Sequence, residues 1–230
     1  MNGSKKTVSE ASGFKASCLE KMFAQNGEKR PRLRLAGFGG DWIECCLGDI
    51  ANKITTKNVQ SQYSEVLTNS AELGVIRQCD FFNHSIAKAN SIGGYYVVEQ
   101  FDFIYNPRVS VSAPVGPINC NRLGIVGVVS PLYTVFRTHD VNVRFIEYYF
   151  KTNLWRQYMV GVGNSGARFD RFSISDEDFF SMPIKLPPTV AEQEAIGKFF
   201  EDLDKMVELQ EKKVEKLRHV KTGCLERMFG

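Results

Sequence analysis

The feature that most constrains this chain is its last segment, which follows two prolines and has the pattern of one long helix. Pro187 and Pro188 end the element before them, because proline lacks a backbone N–H and restricts its predecessor. Thr189 and Glu192 match a capping box, in which each side chain accepts from the other residue's backbone N–H. Apolar residues then recur at spacings of three and four over about five heptads, which predicts a coiled-coil helix of roughly 60 Å.

The charge along this segment is polarised. Residues 189–211 carry seven acids and two bases, whereas residues 212–230 carry six bases and two acids. An antiparallel partner of the same sequence would set opposite charges side by side, so we expect that pairing, although the helix macrodipole alone also rewards this distribution. The predicted dimer interface is Ile196, Phe199, Leu203, Met206, Gln210, Val214, Leu217, Cys224 and Met228.

A ten-residue repeat links the two ends of the sequence. Residues 14–23 read FKASCLEKMF and residues 220–229 read VKTGCLERMF, with six identical positions at an offset of 206 residues. Two similar helix ends can arise by chance. A tandem duplication with a long period explains the offset better, and the chain is then one period that starts with the tail of a preceding unit.

The middle of the sequence predicts an α+β domain. Residues 94–106 and 124–137 are rich in β-branched and aromatic residues and are bounded by glycine and proline, as strands are. Residues 143–158 have helical periodicity, with Asn142 as a candidate cap. We therefore expect a disordered start and remnant helix over 1–28, a globular domain of mixed strands and helices over 29–188, and a long helix over 189–230.

Composition excludes several classes of protein. Hydrophobic residues make up 43% and charged residues 24%, which excludes wholesale disorder, and no apolar run reaches the roughly 20 residues of a membrane span. The start is polar and carries no export signal, so we expect a cytoplasmic protein without a membrane partner. The six cysteines form no C-x-x-C pair, and the three histidines are distant in sequence, so we expect no metal site and treat the thiols as small apolar residues.

The net charge of +3 is small, but bases are unevenly distributed. Residues 103–175 hold eight bases and three acids, with tyrosine, phenylalanine and tryptophan rings distributed among them. Such a stretch is either a nucleic-acid surface or a core of buried rings with a solvated basic rim, and the sequence leaves both open.

No catalytic or cofactor motif survives inspection of its context. Residues 161–166 read GVGNSG, but a dinucleotide loop must follow a strand and open a helix, whereas this one follows a predicted helix. The Asn106-Pro107 pair has Arg108 where amino-methyltransferases have a second proline. Neither a phosphate-binding Gly-x-x-x-x-Gly-Lys loop nor a Gly-x-Ser-x-Gly elbow is present, so we predict a non-catalytic chain without a cofactor.

Several short segments, in their order and spacing, resemble the specificity (S) subunit of type I restriction-modification systems. They are PRLRL (31–35), GF (37–38), Trp42, LGDI (47–50), FIYNPR (103–108), GVVSPLY (127–133), LPP (186–188), EQ (192–193) and LD (203–204). The resemblance implies a DNA-reading subunit that is not itself catalytic. It implies double-stranded DNA, adenine methyltransferase subunits and restriction/translocase subunits as partners, with S-adenosylmethionine bound only by the methyltransferase.

The family's usual subunit has two target-recognition domains, each followed by a conserved helix, and the two helices pack antiparallel. This chain has one such domain, one complete helix and a remnant helix end, which is a half-length form. We expect two copies to associate through antiparallel helices, each remnant filling the place of a preceding unit's helix end. The homodimer would read identical inverted half-sites separated by an unread spacer.

Base reading requires side chains with paired donors and acceptors at exposed loops. The candidates in polar, turn-rich segments are Lys53, Lys57, Asn58, Gln78, Asn83, His84, Lys88, Asn90, Arg108, Asn121, Arg122, Arg168 and Arg171. The main alternative is a coiled-coil adaptor whose globular domain binds protein and has no DNA specificity. An enzyme using the GVGNSG segment is the third.

Overall fold

The computed structural model describes residues 2–81, 92–165 and 170–229, and the chain divides into two compact units, one of Met1–Trp42 with Pro187–Gly230 and one of Ile43–Leu186. The helices are α1 (Asn2–Lys21), α2 (Leu47–Ile50), α3 (Gln78–Phe81), α4 (Val143–Tyr149), α5 (Leu154–Val162), α6 (Asp176–Phe180) and α7 (Val190–Phe229). The strands are β1 (Ile43–Cys46), β2 (Ala51–Ile54), β3 (Leu67–Ser70), β4 (Gly74–Arg77), β5 (Tyr96–Val98), β6 (Phe103–Tyr105), β7 (Ile118–Cys120), β8 (Gly127–Val129), β9 (Thr134–Thr138), β10 (Asn164–Ser165), β11 (Phe172–Ser173) and β12 (Pro183–Leu186). This mixture of elements, with a helix before it and a long helix after it, confirms the predicted fold class.

The first unit is built on two antiparallel helices. Lys15 of α1 forms an ion pair with Asp204 of α7. The Phe23 ring, just beyond α1, stacks on Phe200 with the ring centroids 6.0 Å apart. At the other end of α1, Val8 lies beside residues 211–218 of α7. The remnant helix is therefore packed along the long helix of its own chain, from about Phe200 to about Arg218.

The boundaries of this unit differ from the sequence-based prediction at two places. The sequence predicts a disordered start, whereas α1 begins at Asn2, because packing against α7 stabilises a segment too polar to predict a helix by itself. The sequence also assigns residues 29–42 to the globular domain. In the structure the Trp42 backbone N–H donates to the Lys29 carbonyl at 2.8 Å, and the Trp42 ring meets Phe23 edge-on at 6.3 Å, so this segment belongs to the helical unit.

The N-terminus of α7 is held by an ion pair in place of the full capping box. The Glu192 backbone N–H donates to Thr189 Oγ1 at 3.3 Å, which is the first half of the predicted box. The Glu192 carboxylate, with only 1% of the side chain exposed, instead accepts two hydrogen bonds from Arg34, at 2.7 and 2.8 Å. A buried carboxylate is stabilised more by a bidentate guanidinium than by one amide, so the reciprocal bond is replaced.

The second unit contains a four-stranded antiparallel sheet in the order β2-β9-β6-β7. Four two-stranded antiparallel pairs surround it: β1 with β12, β3 with β4, β5 with β8, and β10 with β11. Phe103 and Phe136 face each other across β6 and β9, with their rings stacked at 5.3 Å. Phe150 and Phe179 pack on the Phe136 ring at 5.9 and 5.8 Å, so aromatic side chains form this side of the core.

Each of the two long predicted strands is interrupted by a turn. Residues 94–106 form β5 and β6, separated by a turn in which Phe101 has a φ of 72° and the Glu99 backbone N–H donates to Asp102 at 2.7 Å. Residues 124–137 contribute β8 and most of β9, separated where the Tyr133 backbone N–H donates to the Ser130 carbonyl at 3.0 Å. The predicted helix over 143–158 is likewise two helices, α4 and α5.

Candidate nucleic-acid interface

A cleft of about 620 Å³ opens beside the β3–β4 hairpin of the second unit. Its walls come from the hairpin turn, from the start of α3 and from the loop that follows β6. The lining is mainly small and polar, and it includes two predicted base-reading residues, Gln78 and Arg108. We take this cleft as the candidate site because it is where the structure brings predicted residues together.

The floor of the cleft is a network of asparagine amides. Asn69 is 2% exposed, and its Nδ2 donates to the carbonyls of Ile104 at 2.6 Å and Pro117 at 3.1 Å. Asn119 donates to Asn69 Oδ1 at 2.7 Å, and Asn106 donates to the Asn69 carbonyl at 2.9 Å. Because these side chains tie β3 to β6 and β7, the floor is a fixed platform rather than a mobile loop.

Gln78 supplies an acceptor in the cleft wall. Its backbone N–H donates to the Val66 carbonyl at 2.8 Å, which fixes the residue at the start of α3. Its Oε1 is buried, and within the described residues no donor reaches this atom. A buried amide oxygen without a hydrogen-bond donor costs about 1–3 kcal/mol of folding free energy, so a ligand that supplied a donor to it would be bound favourably. A glutamine amide carries the donor and acceptor set that pairs with an adenine edge in the major groove.

Arg108 and Arg171 are held close together by their backbones. They form an isolated antiparallel bridge, in which the Val109 backbone N–H donates to the Asp170 carbonyl at 3.0 Å. The Arg108 backbone N–H also donates to Asn106 Oδ1 at 3.0 Å, a turn that restricts how Arg108 leaves the strand. Across the ranges that the structure describes, neither guanidinium has an ion-pair partner. Both charges are therefore available to an anionic ligand.

Three other predicted cations differ in whether they already pair with an acidic side chain. Lys53 pairs with Asp176, and Arg122 donates to Glu147 from Nε and Nη2 at 2.9 and 2.6 Å. The Arg122 guanidinium also lies 4.9 Å from the centroid of the Phe101 ring. Lys57 is exposed and, among the described residues, pairs with no acid. Only Lys57 of these three is ready to bind phosphate without first losing a partner.

Two predicted residues have no exposed side chain. Asn58 is 3% exposed, and its amide bonds the backbone of Tyr63 in both directions, at 2.8 and 3.1 Å. Asn121 is fully buried, and its Nδ2 donates to the carbonyls of Glu99 and Ile125, both at 3.0 Å. The expectation that these two asparagines stand at exposed loops is wrong, because their amides satisfy buried turn carbonyls.

Five further candidates lie outside the described residues and receive no structural account. They are Asn83, His84, Lys88, Asn90 and Arg168.

The rings of the basic stretch are mostly core. Tyr105, Phe136, Tyr149 and Trp155 are each at most 3% exposed, and the Tyr105 hydroxyl donates to the Val115 carbonyl at 2.9 Å. Burial raises the pKa of Tyr105 above its ordinary value. Of the two interpretations that the sequence leaves open, the buried core holds for these rings, so they are not a stacking surface for bases.

The cleft also contains hydroxyl groups that sequence reasoning missed. Thr68 and Tyr133 lie with their hydroxyl oxygens 3.2 Å apart, and Ser110 and Ser112 are paired at the same distance. Hydroxyls both donate and accept, so they bind phosphate oxygens and base edges alike. For Ser110 and Ser112 the signal in the sequence was the small, polar composition of the loop after Arg108; Thr68 and Tyr133 had no comparable signal.

The predicted dimer seam is partly covered within the single chain. Ile196 is 2% exposed, and Phe199 is half-buried against Phe200 at 5.3 Å. Leu203, Gln210 and Val214 are partly buried. The seam positions nearer the end of α7 are exposed: Met206, Leu217, Cys224 and Met228. Ile196 is thus not an open interface position, because α1 and its following loop pack on that part of α7.

The GVGNSG segment follows a helix, as the sequence predicts. Gly161 and Val162 end α5, and Gly163 caps it, its N–H donating to the Met159 carbonyl at 2.8 Å. A side chain at Gly163 would collide with the Phe172 ring, which explains this glycine by packing. In the described part of the chain, no three His, Cys, Asp or Glu side chains converge as a metal site would require, and no helix is long and apolar enough to cross a membrane.

Comparison with known proteins places this geometry in a family. The family model for the type I restriction modification DNA specificity domain matches residues 39–219, which is most of the chain. The chain belongs to the type I DNA specificity family. No curated protein sequence matches it.

Two solved structures share the fold of this specificity chain. One is the HsdS subunit from Thermoanaerobacter tengcongensis, with a TM-score of 0.58 and 15% identity over 98% of this chain and 52% of that one. The other comes from a study of complex assembly and conformational transition of the type I R-M system, with a TM-score of 0.59 and 16% identity over 97% of this chain and 53% of that one. The chain therefore spans about half the length of the structures it matches.

Proposed function

We propose that this chain reads one half of a bipartite DNA site within a type I restriction-modification complex. It docks the adenine methyltransferase subunits, and restriction subunits with them, while performing no catalysis and binding no cofactor itself. Two copies act together as an antiparallel dimer and read inverted half-sites. Membership of the DNA specificity family supports the DNA-reading role, and the single observation that carries its location is the cleft lined by Arg108 and by Gln78, whose side-chain oxygen has no donor among the described residues.

Within the cleft, Gln78 and Arg108 are the proposed base readers. A glutamine amide turned toward a base accepts from N6 and donates to N7 of adenine, and an arginine guanidinium pairs in the same bidentate way with O6 and N7 of guanine. Both residues line one cleft with a rigid amide floor, so their positions relative to each other are set before DNA arrives. Such preorganisation lowers the entropy lost on binding.

Lys57 and Arg171 are the proposed phosphate contacts. Both carry charges without an acid partner in the described residues, but neither lines the cleft. Contacts to phosphate strengthen binding to every sequence equally and set the position of the protein on the duplex. Lys53 and Arg122 are excluded from this set because Asp176 and Glu147 already neutralise them.

The test is methylation sequencing in cells that contain this chain and its methyltransferase. The wild-type chain should give methylated adenines at one inverted, interrupted sequence. Gln78→Ala or Arg108→Ala should relax or change the bases at defined positions by about 1–3 kcal/mol of discrimination, whereas Lys57→Ala should reduce methylation at all sites alike. Arg30→Ala, which removes an exposed ion pair with Asp41, is the matched control and should change nothing.

An unchanged methylated sequence in both cleft variants would contradict the cleft as the reading site. If the wild-type chain bound the methyltransferase but did not bind DNA, the coiled-coil adaptor alternative would be favoured instead.

A further inference from the structure

The α1 helix and the end of α7 are two forms of one docking segment. The ten-residue repeat covers residues 14–23 and 220–229, and the same offset of 206 residues aligns Val8 with Val214. In α1 the segment is docked, with Cys18 and Met22 at most 2% exposed.

The copy of this segment at the end of α7 is not docked in the single chain. Cys224 and Met228 stand where the repeat has Cys18 and Met22, yet both are exposed, Met228 by 72%. Leu217 and Val220 between Val214 and Cys224 are also at least half exposed. An apolar stripe of this length, with the sequence of a segment that docks elsewhere in the same molecule, indicates a missing acceptor.

The acceptor for α1 is the first half of α7, and the charges there suit the second copy of the segment better. Residues 189–211 carry a net charge of −5. Residues 2–23 carry +2, whereas residues 212–229 carry +4. Opposite charges along facing positions set helix pairing and orientation, so the end of α7 is the more complementary occupant.

The observed α1–α7 register also carries over to a symmetric dimer. Lys15 pairs with Asp204, and Lys221 is the residue equivalent to Lys15 at the repeat offset. Val8 lines the same groove as Val214, and Val214 is also the residue equivalent to Val8 at the repeat offset. Both correspondences describe one antiparallel pairing of two α7 helices, with a two-fold axis near Val214 and Lys221 of each copy opposite Asp204 of the other.

We propose that the dimer forms by segment exchange, in which residues 212–229 of each copy displace α1 from the first half of α7 in the other. This inference rests on the dimer of the proposed function and specifies its contacts. The acceptor surface is the Ile196–Asp204 face, and the occupant is the end of α7 from a second copy. Helix α1 is then a tethered competitor that covers this face in the single chain.

The competition makes dimerisation dependent on concentration. A tethered segment acts at an effective concentration in the millimolar range, so α1 holds the face in dilute protein. Exchange replaces two α1 contacts by two α7 contacts and covers the exposed stripe in both copies. Any change that favours one occupant over the other should therefore shift the oligomeric state.

A pair of charge-swapped chains separates the two occupants. Asp204→Lys with Lys15→Glu restores the α1 ion pair and repels Lys221 of the second copy. Asp204→Lys with Lys221→Glu restores the exchanged pair and repels α1. The two double variants have the same composition and net charge, so they control for each other. Sedimentation velocity across a concentration series gives the dimer dissociation constant of each.

We expect the Lys221→Glu double variant to dimerise at least about tenfold more tightly than the Lys15→Glu double variant, with the wild-type chain between them. Equal constants for the three proteins, all dimeric, would overturn segment exchange and leave the dimer intact. Monomers in all three at 100 µM, an order-of-magnitude ceiling chosen from ordinary interface affinities, would overturn both. Neither result bears on DNA reading, which the methylated sequence reports separately.

A labelled peptide provides a second readout that does not depend on variant folding. Residues 212–229 with a fluorophore at the first residue should bind the wild-type chain saturably, as measured by anisotropy. The same peptide with Lys221→Glu should bind the wild-type chain about tenfold more weakly, because the substitution weakens the peptide and leaves α1 unchanged. Absence of saturable binding to the wild-type chain would overturn the proposal.

Discussion

The amide of Asn69 joins three segments of the cleft floor. It donates to two backbone carbonyls and accepts from Asn119, and no water reaches it because the side chain is 2% exposed. A hydrogen bond lost in such a buried place is not replaced by solvent. The geometry of the cleft therefore depends on this one side chain more than on the residues at its rim.

We expect Asn69→Ala to lower the free energy of unfolding by about 2–3 kcal/mol, because it removes three hydrogen bonds of the buried floor, one to each of the Ile104 and Pro117 carbonyls and one from Asn119. Asn119→Ala is the matched control. It should cost about 1 kcal/mol, since Asn119 is only partly buried. Urea unfolding followed by tyrosine and tryptophan fluorescence measures both, and equal losses would contradict the central role of Asn69.

The cysteines should divide into two reactivity classes. Burial raises the pKa of Cys120 to about 12 and that of Cys45 to about 11, and it also raises the pKa of Cys18. The thiolate is the reactive form, so alkylation with iodoacetamide at pH 8 should leave these three largely unmodified. The exposed thiols should react first: Cys46, Cys79 and Cys224. Peptide mass spectrometry measures the order, and early labelling of Cys120 would contradict the packing around β7.

The same thiols should make the fold sensitive to alkali. A thiol whose pKa is raised in the folded state stabilises the fold below its unfolded-state pKa, which is near 9. This stabilisation is lost as the pH rises through the folded-state pKa. Between about pH 9 and pH 11 the urea midpoint should therefore fall. Cys120→Ala should fall less steeply over that window, and an identical slope would show that this thiol is not the cause.

Asparagine shows how far the sequence predicts individual residues. Asn58, Asn121 and Asn106 follow the same turn-rich pattern as a base reader would, yet all three satisfy backbone atoms. An amide that holds a turn and an amide that reads a base are chemically the same, and only burial separates them. Gln78 and Arg108 were predictable as polar residues in a turn, but their meeting in one cleft depends on contacts between β3, α3 and the loop after β6.

At the level of elements, the start of α7 depends on a residue far away in sequence. Arg34 reaches the buried Glu192 carboxylate and also donates to the carbonyls of Gly39 and Gly40, both at 2.6 Å. The loop that precedes β1 and the first turn of α7 are thereby fixed together. This arrangement explains why the Arg34 side chain is only 15% exposed despite its charge.

Arg34→Ala should destabilise the helical unit by about 3 kcal/mol, because it leaves the Glu192 carboxylate buried without a cation. Arg30→Ala is the control, since Arg30 pairs with Asp41 in an exposed position and its loss should have no measurable effect. Thermal unfolding followed by helical circular dichroism reports the difference. Equal melting temperatures for the two variants would contradict the importance of this ion pair.

The elements themselves were predictable to different degrees. The long helix α7 follows from periodicity and from the proline stop, both of which are local. The turn at Phe101, which divides one predicted strand, contains neither glycine nor proline, whereas the turn at Ser130 does have a local signal, Pro131 at its second position, which the strand prediction overlooked. The α1–α7 pairing joins Lys15 to Asp204, which are 189 residues apart, so only the repeat hinted at a common role for the two segments.

At the scale of the whole molecule, a net charge of +3 limits how DNA affinity can arise. Non-specific binding depends on counterions released by cations that meet phosphates. Because many bases here are paired with acids, only a few contacts should contribute. Affinity should therefore depend on salt less steeply than in strongly basic DNA-binding proteins.

For the assembled complex on duplex DNA, the logarithm of the association constant K should fall less steeply with the logarithm of the salt concentration in Lys57→Ala and in Arg171→Ala than in the wild-type chain. We expect the slope to decrease in magnitude by about 1 for each removed phosphate contact. Arg122→Ala should leave the slope unchanged, since Glu147 already neutralises that charge. Fluorescence anisotropy between 50 and 200 mM salt measures the slope, because affinities for DNA ordinarily change by about tenfold or more over this range. A decrease for Arg122→Ala equal to that for Lys57→Ala would contradict the assignment.

The repeated helix segment also bears on how such readers are rebuilt. Under the proposed function, residues 14–23 and 220–229 are equivalent borders, so we expect everything between them to be replaceable as a cassette while the bordering helix ends stay the same. A graft joined at these two borders would give a different reading head to an unchanged scaffold, and two cassettes joined through one shared border would make a longer chain with two heads. Target choice and assembly are thus inherited separately.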